Sequence, residues 1–400
     1  MKTRPSATLG EKGLERMQAR HPWLFRGDFN RLPMEEENGA LVPVAGKRGE
    51  TLGWGLFSPG ASLCLRLLSW GAERPDIGKL FEKRIQDAKY SRSRFLEKGE
   101  DAFRWIHGEA DGLPGLVVDR YGPVAVMQTS CAGMYRMVDS LAELIRQEDG
   151  VETVILRNEG RFLEAEGIPR EKKVLVGRNE ALEDLSVLTG DVRSFVDPLR
   201  GQKTGLYLDV RKFPRETRPF CSGARVLDAF SYAGNFSLHA LNWGAKDVLA
   251  LDQSAEALEM ARRNLQLNGL AGKGNLSLEE CNVFDRLKEL SEKGSSFDLI
   301  VMDPPPFAPS RKQVESARRG YKELAVRGFR MLAPGGAMLF FSCSQAFGRD
   351  SLLETLAAAA RDVKKSGRIL AEIHQPPDHP VSLNFPESDY LKGFLMEVVP

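Results

Sequence analysis

Cysteine is scarce and scattered in this sequence. The five thiols, Cys64, Cys131, Cys221, Cys281 and Cys343, form no C-x-x-C pair, so neither a disulfide framework nor a local four-ligand zinc site can be read from them. Reduced thiols and no structural metal are expected. Long apolar runs are missing too: none approaches the roughly 20 residues that a membrane-spanning helix needs, and Met1-Lys2-Thr3-Arg4-Pro5 leads into no signal core. The expectation is a cytoplasmic protein with no membrane partner. Nor does one charge dominate. The 56 basic and 55 acidic residues leave a net +1, which removes a whole-chain signature of nucleic-acid binding. What remains is a chain 42% hydrophobic and 28% charged, a composition that folds, and 400 residues is long enough for two or three domains.

Charge does gather locally. Between Arg311 and Arg330 stand seven basic residues (Arg311, Lys312, Arg318, Arg319, Lys322, Arg327 and Arg330) against Glu315 and Glu323, a net +5. Taken alone, such a stretch reads first as a solvated helix face.

Apolar patterning divides the chain. The first seventy or so residues are short apolar runs broken by glycine and proline, such as Trp23-Leu24-Phe25 and Trp54-Gly55-Leu56-Phe57. They suggest a small β-rich barrel or sandwich with one helix near 10–20. A boundary is expected at 70–75. A helical pattern over 77–99 follows, then strand-like Leu116-Val117-Val118 and Val124-Ala125-Val126, a helix over 134–147, and Val154-Ile155-Leu156, a mixed α+β middle domain over 74–195. From Arg225 apolar strands alternate with amphipathic helices, the pattern of parallel βαβ units. Strands are expected at 225–227, 248–251, 299–302 and 337–341. Ser254 should cap a helix that Asn268-Gly269 closes, with Leu258, Ala261 and Leu265 on one face. The fold class expected for 196–400 is a Rossmann-like, doubly wound α/β domain.

Ligands of such sheets bind past the carboxyl ends of the strands. The first of these ends reads Asp228-Ala229-Phe230-Ser231-Tyr232-Ala233-Gly234. A dinucleotide fingerprint needs several glycines; here one glycine follows a carboxylate that would repel a pyrophosphate. A ligand with a cationic amino-acid end and an adenosine end fits better, and S-adenosylmethionine is such a ligand. Asp252 ends the second strand, where an acid can accept from ribose hydroxyls. Near Cys281-Asn282-Val283 a third end can offer an acceptor and a backbone N–H to adenine. The fourth delivers Asp303-Pro304-Pro305-Pro306-Phe307, a rigid turn holding its aspartate. The fifth ends in Ser342-Cys343-Ser344. A lone cysteine beside an apolar strand is most often inert, but a strand next to the one ending at Asp303 would bring Cys343 to the same cleft.

These motifs, with Arg20-His21-Pro22-Trp23, Gly108-Glu109-Ala110-Asp111-Gly112, Gly201-Gln202-Lys203-Thr204-Gly205-Leu206-Tyr207-Leu208-Asp209, Gly320-Tyr321-Lys322, Asp378-His379-Pro380 and Tyr390-Leu391-Lys392-Gly393-Phe394, resemble the RlmI-type family of S-adenosylmethionine-dependent ribosomal RNA methyltransferases. The resemblance spans nearly the whole chain. It implies an N-terminal PUA RNA-binding domain (1–73), a middle domain (74–195) and a Rossmann-like methyltransferase domain (196–400). It implies further that Asp228, Phe230, Gly234, Asp252, Gln253, Asn282 and Val283 hold the cofactor, with Tyr207 and Arg211 on a segment closing over it. Asp303 and Cys343 would face a target cytosine. The basic stretch follows Asp303 directly and would line the entrance to the base pocket, so Arg311, Lys312, Arg318, Arg319 and Lys322 are expected to contact RNA. Two departures stand out: Asn282 where aspartate is usual, and Pro306 where lysine is common.

Cytosine C5 is a poor nucleophile, so its methylation calls for a thiolate adding at C6. Cys343 is the expected nucleophile and Asp303 the group on the N3–N4 edge of the base. Asp303, His379 or water could take the C5 proton. The expected partner is large-subunit ribosomal RNA; a homodimer is left open. Two rivals stand: an RNA guanine or adenine N-methyltransferase in which Cys343 is structural, and a non-catalytic RNA-binding assembly factor.

Overall fold

A computed structural model describes residues 6–160, 162–307 and 313–399. The chain forms two compact units. The first comprises Met1–Leu185, Val196–Leu208 and Pro377–Ser388. Its first sheet has six strands, including Leu41–Ala45, Thr51–Phe57 and Leu63–Trp70, and the helix Glu11–Gln18 occupies the segment where one was expected. A five-stranded sheet follows, with Leu116–Tyr121, Val124–Thr129 and Thr153–Asn158 inside it. Leu56 and Leu68 of the first sheet join the apolar cluster of Phe81, Ile85 and Trp105, so the change near residue 73 is one of sheet within a partly shared core. The helix expected over 134–147 is two, Ala132–Arg136 and Val138–Arg146, because Met137 leaves helical geometry at φ −106°, ψ 12°.

The second unit comprises Ser186–Phe195, Asp209–Pro376 and Asp389–Pro400. Its seven strands are β1 (Arg225–Ala229), β2 (Asp247–Asp252), β3 (Asn275–Glu280), β4 (Phe297–Met302), β5 (Leu332–Ser342), β6 (Gly367–His374) and β7 (Lys392–Val398). Its main helices are α1 (Asn235–Asn242), α2 (Ala255–Leu267), α3 (Val283–Glu292), α4 (Val314–Met331) and α5 (Arg349–Asp362). Strand order is β3-β2-β1-β4-β5-β7-β6; all neighbours are parallel except those of β7. Chain direction across the sheet reverses between β1 and β4, the switch point at which such sheets open a crevice.

Local chemistry explains the elements. Ser254 caps α2 by accepting from Ala257 N at 3.2 Å, and Asn268 ends it. Leu227, Ala229, Ile300, Met302, Met338 and Phe340 form part of one buried cluster with Tyr321, Leu324 and Phe329 of α4, as expected for parallel strands covered by helices. The hairpin Ser186–Thr189/Val192–Phe195 goes with this unit, although the boundary was expected at 195. Asn264 of α2 and Asn268, its C-cap, accept from Phe195 N at 2.8 Å and Arg193 N at 2.7 Å. Among the described residues no helix is long and apolar enough to cross a membrane.

Candidate active site

The register gathers the chemistry at one edge. Asp228 pairs with Ala250 of β2 and Val301 of β4, and Met302 pairs with Phe340 of β5. Asp228, Asp252, Asp303 and Cys343 therefore lie at or just past the carboxyl ends of neighbouring strands. Antiparallel β7 begins at the same edge, because Lys392 pairs with Ser342.

The turn after β1 is strained. Phe230 and Tyr232 have φ of 66° and 47°, a left-handed conformation that costs a non-glycine residue about 1–2 kcal/mol and persists only where the surroundings impose it. They do: Tyr232 N donates to Asp252 Oδ2 at 2.8 Å, Ser231 N to Leu251 O at 3.0 Å, and Asn264 Nδ2 to Ala233 O at 3.1 Å. Gly234 closes the turn at φ 82° and caps α1. A Cβ there would lie 3.1 Å from that of Ala261, so glycine serves both conformation and space.

Asp228 is 1% exposed. Its Oδ2 accepts from Ser237 N at 3.0 Å and Ser237 Oγ at 2.6 Å. Burial pushes its carboxyl up to about 6, with the Ser237 bonds opposing and the charge of Asp252 adding. A cation brought to this carboxyl would favour its ionised form. Asp252 is half-buried and also accepts from Ser254 N at 2.9 Å. Both aspartates thus hold backbone, as N-terminal caps do; Asp228 Oδ2 is filled by its two bonds to Ser237, while each oxygen of Asp252 accepts one of these bonds and has a second lone pair for a ligand. Ser231 Oγ is buried with no partner among the described residues, an orphan of the kind a bound ligand satisfies. Carboxylates, an orphan hydroxyl and a strained glycine turn suit the amino-acid and ribose groups of S-adenosylmethionine.

Asn282 does something the sequence did not announce. Its Oδ1 caps α3, accepting from Phe284 N at 3.0 Å and Asp285 N at 3.4 Å. Aspartate caps equally well, so the departure to asparagine keeps the helix start. Val283 N–H, at the first position of α3, has no helical acceptor. The Phe284 ring meets Phe230 edge-on at 5.4 Å. Gln253 is exposed.

A buried hydroxyl network couples the fourth and fifth strand ends. Tyr321 of α4 is 0% exposed. Its hydroxyl accepts from Ser342 Oγ at 2.9 Å and shares a hydrogen bond with Ser344 Oγ at 2.7 Å. Ser344 Oγ in turn accepts from Phe307 N at 3.1 Å. The loop that starts at Asp303, stiffened by Pro304, Pro305 and Pro306, is thereby tied to the turn that carries Cys343. The Phe307 ring packs 4.7 Å from Tyr321 and lies close over Gly320, where a Cβ would sit 3.1 Å from the ring and push it by a few tenths of an ångström. Asp303 and Cys343 are both half-buried. Cys64, Cys131 and Cys221 are buried, and burial pushes each of their thiols up to about 11.

The other expected site residues fall as follows. Arg211 is 3% exposed in the second unit. Tyr207 lies in the first, its hydroxyl on Gln202 and its ring 4.2 Å from Lys203 Nζ. Arg311 and Lys312 lie outside the described residues. Arg318 and Lys322 of α4 are paired with α5, to Glu354 at 3.3 Å and Asp362 at 2.8 Å, so part of the +5 cluster is offset by acids of the next helix. Arg319 is exposed. His379, one of the expected proton acceptors, is 1% exposed in the first unit, with Nδ1 3.2 Å from Asp378 Oδ1 and its ring 5.3 Å from that of His107. Tyr321, Ser342 and Ser344 stand in sequence motifs that give no local sign of the hydroxyl network they form. The signal for Ser237 is local: a serine nine residues after a strand-end aspartate can bond to it from a helix start.

A seven-stranded sheet with β7 antiparallel and an acid at three successive strand ends defines a Rossmann-like methyltransferase. Comparison with known proteins agrees: the S-adenosylmethionine-dependent methyltransferase family matches residues 170–392, and a PUA-like domain matches residues 7–70. Ribosomal RNA large subunit methyltransferase I of Erwinia tasmaniensis is 34% identical over 392 residues, covering 97% of this chain and 98% of its own. That of Shewanella denitrificans is 35% identical over 390 residues, covering 97% of each. Among solved structures, SMU.776, a provisionally assigned methyltransferase in complex with SAH, superposes with a TM-score of 0.84 at 21% identity, over 98% of this chain and 100% of that one. The chain belongs to the family of S-adenosylmethionine-dependent methyltransferases whose curated members carry the name ribosomal RNA large subunit methyltransferase I. Its cofactor is S-adenosylmethionine.

Proposed function

We propose that this methyltransferase forms 5-methylcytidine in large-subunit ribosomal RNA through a covalent adduct between Cys343 and C6 of the cytosine. The observation that carries the reading is the hydrogen bond from Phe307 N to Ser344 Oγ, which couples the Asp303 loop to the Cys343 turn. The RNA substrate is supported by the names of relatives aligned over nearly the full length and by the PUA-like domain.

In this account Asp228, Asp252 and the N–H of Val283 hold the cofactor, with Phe230, Gly234, Gln253, Asn282 and Arg211 shaping its surroundings. The Cys343 thiolate adds to C6, forming a C–S bond while the C5–C6 π electrons move into the ring. Asp303 hydrogen-bonds the N3–N4 edge, where that charge collects. C5 is then enamine-like, and S-adenosylmethionine supplies its electrophilic methyl group to it. Loss of the C5 proton to a base returns the electron pair to C5–C6 and expels Cys343 as thiolate.

Replacing the C5 hydrogen by fluorine blocks that last step, because fluorine cannot leave as a cation. RNA carrying 5-fluorocytidine should form a protein–RNA adduct that survives denaturing electrophoresis with the wild type and is absent with Cys343→Ala. No adduct with the wild type, together with full activity of Cys343→Ala, would assign the chemistry to a ring or exocyclic nitrogen.

We assign RNA contacts to Arg319 and, with partners exchanged, to Arg318 and Lys322; Arg311 and Lys312 belong to the same proposal on sequence grounds. Partly exposed ion pairs such as Arg318–Glu354 contribute little, so a phosphate can replace the carboxylate.

A further inference from the structure

Lys392, the first residue of β7, is a buried charged side chain. Only 6% of it is exposed. Nζ donates to Ser344 O at 3.0 Å, and among the described residues no carboxylate lies within salt-bridge distance of it. A buried ammonium without a paired anion is expensive. The residue adjoining its acceptor is Cys343, and β7 sets that proximity by pairing Lys392 with Ser342.

We propose that Lys392 is a positioning residue for the reaction, clamping the Ser342–Ser344 turn through the Ser344 carbonyl and presenting its ammonium to the Cys343 thiolate. This rests on the covalent reading above and adds what activates the thiol. The charged groups around the pair fit. Burial pulls Lys392 below the usual lysine range, while Asp389 and the negative form of Cys343 favour its charge. On the other side stands Tyr321 of α4, a neutral hydroxyl whose ionisation burial opposes, as the charge on Cys343 also does. Lys392 is thus the cation, and Cys343 the anion that completes the pair on adding or leaving. An opposite charge within about 4–6 Å favours the ionised form of a group by about one to three pH units, which for a thiol raises the thiolate fraction at neutral pH.

The test is the pH dependence of Cys343 alkylation by iodoacetamide, read on its own peptide by mass spectrometry, in full-length wild type, Lys392→Met and Lys392→Arg. Methionine keeps the length of the stem and removes the charge. The expected result is a midpoint about one unit or more higher in Lys392→Met and near the wild-type value in Lys392→Arg. Methyl transfer by Lys392→Met should fall at pH 7 and recover in part at pH 9. An unchanged midpoint in Lys392→Met, with S-adenosylmethionine affinity and melting temperature retained, would overturn the proposal. If Lys392→Met does not fold, a Lys392→Arg midpoint equal to that of a small-molecule thiol overturns it, and a lower one supports it. The readout does not depend on catalysis: a shifted midpoint alongside a fully active Cys343→Ala would retain the Lys392–Cys343 pair and discard the covalent mechanism.

Discussion

Removing the hydroxyl of Tyr321 tests the coupling of the two catalytic segments. Tyr321→Phe leaves the ring packed 4.7 Å from Phe307 and 5.0 Å from Phe347 but deletes the bonds to Ser342 and Ser344. Each is worth about 0.5–1.5 kcal/mol, so the second unit should lose about 1–3 kcal/mol. At roughly 2–4 °C per kcal/mol for a unit of this size, melting should fall by several degrees. Ser344→Ala loses the same bond to Tyr321 and also leaves Phe307 N without its acceptor. Since both variants act through Tyr321–Ser344, their costs should not add: the double variant should fall short of the sum by about 1 kcal/mol. Each should lower kcat with little change in KM, about tenfold for 1.4 kcal/mol of lost positioning. The assay is thermal or urea unfolding with single-turnover methyl transfer. Additive stabilities within 0.3 kcal/mol, roughly the experimental scatter, and an unchanged kcat would refute the coupling.

Asp228 gives a pH prediction. Its carboxyl is raised to about 6 in the fold, so its contribution to stability is complete below the unfolded value near 4 and is lost as pH rises through about 6. Without cofactor, stability should decline by up to about 3 kcal/mol between pH 4 and 7 on this account, and Asp228→Asn should flatten that slope; titration calorimetry should find S-adenosylmethionine bound more tightly as pH rises through 6 in the wild type only. Gly234→Ala should cost about 1–2 kcal/mol in the left-handed conformation and weaken cofactor binding, where an unchanged affinity would mean the turn is not at the ligand. Arg319→Ala should reduce the slope of log affinity for RNA against log salt by about 0.7–0.9, and an identical slope would return this helix face to solvent.

Much of the second unit was legible because its signals are local. Ser254 and Asn268 bracket α2, and the aspartates and Cys343 were located by counting along strands. The remainder is long-range. Whether Tyr321 and Ser344 meet depends on α4 crossing β5, 23 residues apart in sequence, and the position of Lys392 depends on antiparallel pairing 50 residues away. No periodicity encodes such contacts. Other surprises have the same origin: hydrogen bonds from α2 hold the hairpin 186–195, α5 offsets Arg318 and Lys322, and the excursion Pro377–Ser388 carries His379 into the first unit. Asn282 has a local role beside the one expected toward adenine, since its Oδ1 caps its own helix.

Methyl transfer from labelled S-adenosylmethionine to deproteinised ribosomal RNA, by wild type and Cys343→Ala with the product nucleoside identified by mass spectrometry, bears most directly on the central claim. The account predicts 5-methylcytidine from the wild type and its loss, or a decrease of at least about a hundredfold, from the variant. A methylated purine formed equally by both would contradict it.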